Sequence, residues 1–571
     1  MRSWPSNNTL CHHQMFAPVL LIAVILAVYY PAMLGGIHPI DDPGIISRYS
    51  ASLPLSQLLL PGNSYYYRPI IELSFWLDNR LWGMEASAMH LENILLHIAN
   101  TLLIFYLARR IFSDDDVPLI PLLAALLFAL HPVNVEAVAW IAGRTDLLLA
   151  VFVLASLIYW LRWLATPRWQ DITFALLLFG AALLTKETAL AFGAVIVLFV
   201  MIWSGAATLR QRILAAGIMV LPVALLVIIT LIFKNETSGL DRFLAGTNLH
   251  MWQGIRDGMV AFGFYVKKLI VPYPLNFAIY QVHFAYALVT LALFPLLWLL
   301  VRRHRLASIF FISSLLLILP AVLVAVTQIA WTPLAERYLY IPSAFFIVGL
   351  SITASSFYCK QKKILYSTAL CLTGIFAVIS FQRTLLWNDK LAFFQDAVAK
   401  SPEFGSVYHS LGGQLLQKGL VDRAAEAFAT ADRLNKRDSM RTHIKAAIME
   451  TKIAKGELLE ARSYFFEVFS NKQDASADLL DLLYKADVRR IINLIGRDKA
   501  ILAEDLLETL DLLYQKKPDP FCLYRSGQIA LVAGNSKTAA EFFRRAHSAA
   551  PVDAHYKAAA KTNYLRLEAG K

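Results

Sequence analysis

Charge is what this sequence has least of. Of 571 residues only 16% are Asp, Glu, Lys or Arg, while 57% are hydrophobic, against about 25% charged in ordinary soluble domains. That shortage excludes a disordered chain and a single soluble globule. Cysteine is scarce as well: Cys11, Cys359, Cys371 and Cys522 stand far apart, without a CxxC or paired spacing. Neither a disulfide framework nor a zinc site follows from them. No Walker A loop, HExxH or GxSxG occurs, so nucleotide-phosphate, zinc-protease and serine-hydrolase chemistry have no motif to rest on. The net charge of +12 comes without a basic run interleaved with aromatics, which argues against nucleic acid as a partner.

The charge that is present is unevenly spread. Residues 1–383 hold 42 charged side chains (11%) and 384–571 hold 52 (28%). The expected organisation is a membrane domain over 1–383 and a soluble domain over 384–571. Apolar stretches long enough to cross about 30 Å of hydrocarbon lie near 16–36, 90–108, 118–137, 146–161, 171–185, 188–203, 213–233, 283–301, 308–327, 338–358 and 364–382. The fold class expected is therefore all-α: about eleven transmembrane helices followed by a helical soluble part. The stretch 256–275, with four charges and two prolines, reads as a helix lying at the membrane interface. Residues 16–30 look like a signal-peptide core, but no small-residue cleavage site follows, so they read as a retained first span.

With the N-terminus inside, the inner loops carry 12 Lys and Arg in 42 residues and the outer loops 11 in 123. The positive-inside rule then places the C-terminal domain outside. The localisation expected is a bacterial inner membrane with a periplasmic C-terminal domain, or an endoplasmic-reticulum membrane with a luminal one. The sequon Asn235-Glu236-Thr237 does not decide between them, because such triplets arise by chance.

The soluble part repeats itself. Residues 405–436 place Tyr408, Leu411, Gly412, Ala424, Phe428 and Ala431 where a tetratricopeptide repeat needs bulky, small and apolar side chains. Residues 520–551 do so again with Leu523, Gly527, Ala539, Phe543, Ala546 and Pro551, and Ala461 and Phe465 mark a degenerate copy. One helix pair cannot bury its apolar face alone, so stacked pairs form the core. Such a solenoid suits binding of a peptide or protein; the plainer reading is a rigid spacer.

Candidate chemistry gathers on the outer face. The long first outer loop, 37–89, opens with His38-Pro39-Ile40-Asp41-Asp42-Pro43. In such a pair one carboxylate can act as general base while its neighbour's charge raises its basicity; a helix cap explains Asp before Pro equally simply. Arg68, His131, Glu136, Arg144, Asp146, Lys186, Glu187, Glu336 and Arg337 fall at outer ends of spans. Ionisable groups at membrane depth mark a site or a mutual ion pair. Carboxylates beside several cations suit a phosphate leaving group. An outward-facing membrane enzyme has no ready nucleotide donor, which points to a sugar carried on a polyprenyl phosphate.

At these residues the chain resembles the transmembrane and tetratricopeptide-repeat O-mannosyltransferases, within the GT-C glycosyltransferases, and looks closer to bacterial members. The resemblance rests on Asp41-Asp42, Tyr67-Arg68-Pro69, His90 to His97 (HLENILLH), His131 to Val138 (HPVNVEAV), Gly143-Arg144-Thr145-Asp146, Lys186-Glu187 and Ala335 to Tyr340 (AERYLY), with the repeats last. It implies a polyprenyl-phosphate sugar donor, usually of mannose, and inverting transfer to Ser or Thr of a protein held by the repeats. It implies Asp41 as base with Asp42 as its partner, and Arg337, Lys186 and Arg68 at the donor phosphate. His131, Glu136, Arg144, Asp146, Glu187 and Glu336 would shape the sugar and acceptor pocket. Some GT-C enzymes use a divalent metal; this resemblance implies no metal or other cofactor. The rival readings are a GT-C enzyme acting on a lipid or polysaccharide, a transporter, and a non-catalytic membrane scaffold.

Overall fold

The computed structural model describes residues 13–50, 54–60, 67–112, 119–203, 207–232, 251–356, 358–435 and 438–570. The sequon at 235–237 lies outside them. The described residues are helical, with no strand beyond one isolated bridge between Ile279 and Leu334. They form two compact units, Met1–Ser401 and Pro402–Lys571. The division falls after the expected 383 because the helix Lys390–Lys400 buries Phe393 against Trp387 and Phe277, and Phe394 against His38, all of the first unit.

Among the described residues of the first unit, seven helices are long and apolar enough to cross a membrane: Phe16–Leu34, Ala86–Ile111, Ile141–Ala165, Tyr286–Arg303, Arg305–Thr327, Glu336–Ser355 and Gln361–Asn388. This is a multi-pass membrane protein. The expected spans at 171–185 and 188–203 correspond to shorter apolar helices, Trp169–Thr185 and Glu187–Ile202. The one at 213–233 corresponds to Leu209–Ile218 and Val220–Ile232. Of the stretch 256–275, residues up to Ile270 belong to the helix Met251–Ile270, which packs Phe264, Tyr265 and Leu269 against Ile318, Ala321 and Leu339.

The span expected at 118–137 is broken. Ile120–Ala129 and Pro132–Ala139 bend by 46°, because Pro132 offers no N–H and its ring disrupts the preceding turn. Carbonyls freed at such a break need other donors in an apolar medium. Here Asn134 Nδ2 donates to the Phe128 carbonyl at 2.7 Å, Tyr29 Oη and His97 Nε2 meet that of Ala129 at 3.1 and 2.9 Å, and Ser380 Oγ donates to that of Leu130 at 2.8 Å. The chain then doubles back so tightly that a Cβ on Gly143 would lie 2.3 Å from the Ala137 carbonyl oxygen. That close turn fixes where Glu136, Trp140 and Asp146 point.

The second unit is a run of helices from Gly405–Gln417 to Lys557–Glu568, each packed on its successor. The repeat signature has a direct steric cause. A Cβ on Gly412 would sit 2.5 Å from the Phe428 ring, and one on Gly527 would sit 2.7 Å from Phe543. Only glycine lets the two helices of each pair close on the aromatic ring. Ala461 and Phe465 are buried in the middle core, with Leu480, Leu483, Leu506 and Leu510. The fold class is thus all-α, with membrane helices followed by a repeat-type helical unit.

Candidate active site

The chain leaves the first membrane helix through the turn Tyr30–Leu34 and through Gly36, whose φ of +62° suits glycine. His38 then enters a box of five rings, Trp140, Phe277, Trp387, Phe393 and Phe394, and neither of its ring nitrogens has a partner. Its backbone N–H donates to Asp42 Oδ2 at 2.8 Å. Asp42 is fully buried at the start of the helix Asp42–Ser50, so it closes this turn. Burial pushes its carboxyl from 3.8 up to about 7, against the pull of the His38 N–H.

Asp41, next in line, borders a cavity of about 390 Å³. Five more charged side chains line it: Arg68, Asp146, Lys186, Glu187 and Arg337. Partial loss of water in this hollow raises the Asp41 carboxyl above its usual value, and the nearby Arg337 charge opposes the shift. The other carboxylates are committed. Asp146 accepts from Lys186 Nζ at 2.6 Å, and Glu187 accepts from Arg68 Nε at 3.0 Å. Among the described residues Asp41 enters no ion pair.

Arg337 is held on three sides. Its guanidinium lies 5.1 Å over the Trp140 ring and 4.8 Å over that of Tyr338, and it pairs with buried Glu136. The other oxygen of Glu136 accepts the backbone N–H groups of Glu336 and Arg337, at 3.0 and 3.3 Å. Glu136 therefore stands behind Arg337 and does not line the cavity. Lys186 Nζ lies 5.3 Å over the Tyr338 ring.

Besides Glu136, three of the expected pocket residues lie off the cavity. Arg144 is 1% exposed and bridges Asp78 at 2.6 Å, Glu92 at 3.0 Å and the Met89 carbonyl at 3.2 Å, tying neighbouring helices together. His131 is buried, with Nε2 3.1 Å from the Leu269 carbonyl and its ring against Phe376. Glu336 is buried, where it pairs with Lys268 and accepts the Asn276 N–H at 3.0 Å. An ionisable residue at a span end reads alike whether it faces a cavity or a neighbouring helix. The aromatic walls, Trp140, Phe277, Trp331 and Tyr338, were not expected; only Tyr338 and Trp140 lie in or beside a quoted motif. Among the described residues no group of three His, Cys, Asp or Glu side chains is placed to hold a metal ion.

A smaller cavity of about 40 Å³ shares Asp146, Lys186 and Tyr338 with the first. It continues along Leu149, Phe192, Leu317 and Ile341, which belong to apolar helices. The charged hollow thus adjoins an apolar crevice, with Lys186 at the junction.

Residues 68–233 match the family "Dolichyl-phosphate-mannose-protein mannosyltransferase". That match includes Arg68, Glu136, Asp146, Lys186 and Glu187 and leaves out Asp41 and Arg337. The Caenorhabditis elegans "Protein O-mannosyl-transferase F38B6.6" is 26% identical over 447 residues, 73% of this chain and 62% of its own. This chain resembles the transmembrane and tetratricopeptide-repeat O-mannosyltransferases. Two further members are similar over shorter stretches. The Drosophila melanogaster "Protein O-mannosyl-transferase Tmtc1" is 30% identical across 32% of this chain and 22% of its own, and the mouse "Protein O-mannosyl-transferase TMTC2" 35% identical across 24% and 17%. The chain thus spans less than two thirds of the length of each of these relatives. The crystal structure of the yeast Tom70 aligns with 82% of this chain and 96% of its own at 12% identity, with a TM-score of 0.19.

Proposed function

We propose that this chain is a membrane glycosyltransferase that moves a sugar, mannose by the names of its relatives, from a polyprenyl-phosphate carrier to Ser or Thr hydroxyls of proteins. The single observation that carries the reading is Asp41: a carboxylate unpaired among the described residues, on a hollow whose other acids are neutralised by the cations beside them. A base must be free to take a proton, and its basicity must exceed that of an ordinary carboxylate. Asp41 meets both conditions.

The reaction is one displacement. The acceptor oxygen attacks C1 of the sugar from the face opposite the phosphate, and the configuration inverts. The new C1–O bond forms as the C1–O bond to phosphate breaks. The hydroxyl proton passes to Asp41 and then to solvent. Arg337 and Lys186 stabilise the charge that develops on the departing phosphate, and Arg68 lies on the same hollow. The apolar crevice next to Lys186 suits a lipid tail, since one amphiphile then fills both cavities. Asp42 acts by closing the turn that presents Asp41, and Glu136 by aiming Arg337. The distribution of Lys and Arg among the loops supports a cytoplasmic N-terminus and repeats on the periplasmic or luminal side.

The test uses purified protein, a polyprenyl-phosphate mannose and a periplasmic extract, with mass spectrometry reading hexose gain on Ser and Thr. Asp41→Asn keeps the side-chain volume and removes the base, so transfer is expected to fall by at least about 10²-fold while the protein stays folded. Full activity in that variant would sink the assignment.

A further inference from the structure

The repeat unit carries a surface that peptide capture does not explain. Helices that are joined by short turns and packed on their successors run antiparallel, so alternate turns collect on opposite edges of the stack. One edge holds the turns around 418–420, 456–457, 492–495 and 533–535. On that edge Leu420, Leu459, Ile492, Ile495, Leu531 and Val532 are exposed, Leu459 by 67%, Ile492 by 76% and Ile495 by 88%. On the opposite edge the described residues expose Phe466 and Val552. Single exposed aliphatics need no explanation, but a row of them does.

Charge follows the same edge. Lys418, Arg423, Arg497 and Lys537 are exposed there, Lys499 is half-buried, and none of the five enters an ion pair among the described residues. Some of the acids beside them are spent, since Asp422 pairs with Lys455, and Glu457 and Glu460 pair with Lys452; Glu426, Asp498 and Glu541 remain exposed among them. A row of aliphatic tips set among free cations is the composition that binds anionic lipid surfaces. Protein hot spots favour Trp and Tyr, and these turns contain no aromatic residue. A bilayer is also part of this protein's setting, because the first unit spans one.

We infer that this edge of the repeat unit is a lipid-contact surface, with Leu459, Ile492 and Ile495 entering the headgroup layer of an anionic bilayer and the flanking Lys and Arg meeting its phosphates. The inference stands apart from the transfer chemistry and needs none of the cavity residues.

The experiment places a photo-crosslinking side chain in the full-length protein, as Ile495→p-benzoylphenylalanine, Leu459→p-benzoylphenylalanine and, on the opposite edge, Val552→p-benzoylphenylalanine. Each variant is reconstituted into vesicles of phosphatidylcholine alone or mixed with phosphatidylglycerol, irradiated, and its adducts identified by mass spectrometry. Lipid adducts are expected at 495 and 459 and not at 552. They should increase several-fold with phosphatidylglycerol and fall back when Arg497→Glu and Lys499→Glu are added. Equal adducts at 552, no lipid adduct at either 495 or 459, or crosslinks there only to a second copy or to another protein would each overturn the inference. Two positions on the edge keep the test decisive if one variant fails to accumulate.

Discussion

Neighbouring carboxylates in this chain meet opposite fates. Asp41 borders the charged hollow and Asp42 is sealed beneath the His38 backbone. Because burial lifts Asp42 to about 7, its folded form binds a proton that the unfolded chain has released between about pH 4 and pH 7. Stability contributed by the protonated form is therefore lost as pH rises through that window. Asp42→Asn should flatten this dependence, with a melting temperature that gains on wild type at pH 8 and not at pH 4; an unchanged slope would mean that Asp42 ionises freely. Glu136 calls for a different measurement. It touches Arg337 through a side-chain pair and two backbone N–H groups, so Glu136→Gln leaves the volume and loosens the aim. A drop in kcat of roughly 10–100-fold with KM for the acceptor little changed is expected, since a misdirected cation loses part of its electrostatic effect on the transition state. Equal loss in KM and none in kcat would instead place Glu136 in ground-state binding. These distinctions were not legible in the sequence. It placed Glu136, Arg144 and His131 together as span-end polar residues. Only the fold separates a group that holds a cavity arginine from one that ties helices together at Asp78.

Among the elements, the repeats were the most readable part. Their signature is a steric relation between a glycine and a phenylalanine sixteen residues on, and that relation survives in the sequence wherever the pair packs. Gly412→Ala and Gly527→Ala each set a methyl against a ring at under 3 Å. Each should destabilise the second unit by about 1–3 kcal/mol, read as an earlier unfolding transition in denaturant. No change at either position would mean that the helix pair opens without cost. The membrane helices were legible where an apolar run is long and unbroken. The span at 118–137 was not, because hydropathy has no term for Pro132 or for the donors that satisfy the break. The same holds for Arg144, whose partners Asp78 and Glu92 sit on other helices and follow no local spacing.

At the scale of the whole molecule, the two units divide the proposed work. The charged hollow lies wholly within Met1–Ser401, so removing 402–571 should leave donor hydrolysis or transfer to a small hydroxyl acceptor measurable while glycosylation of intact proteins is lost. Protein glycosylation that persists without the repeats would show that they do not select the acceptor. The broken span carries a further consequence, which concerns time. Its last carbonyl, on Leu130, is satisfied by Ser380, 250 residues later in the chain. Synthesis from the N-terminus delivers Glu136 and Asp146 early, yet the bend that orients them lacks its Ser380 donor until the helix Gln361–Asn388 has been made. A half-made chain therefore holds the broken span with one of its carbonyls still without its donor.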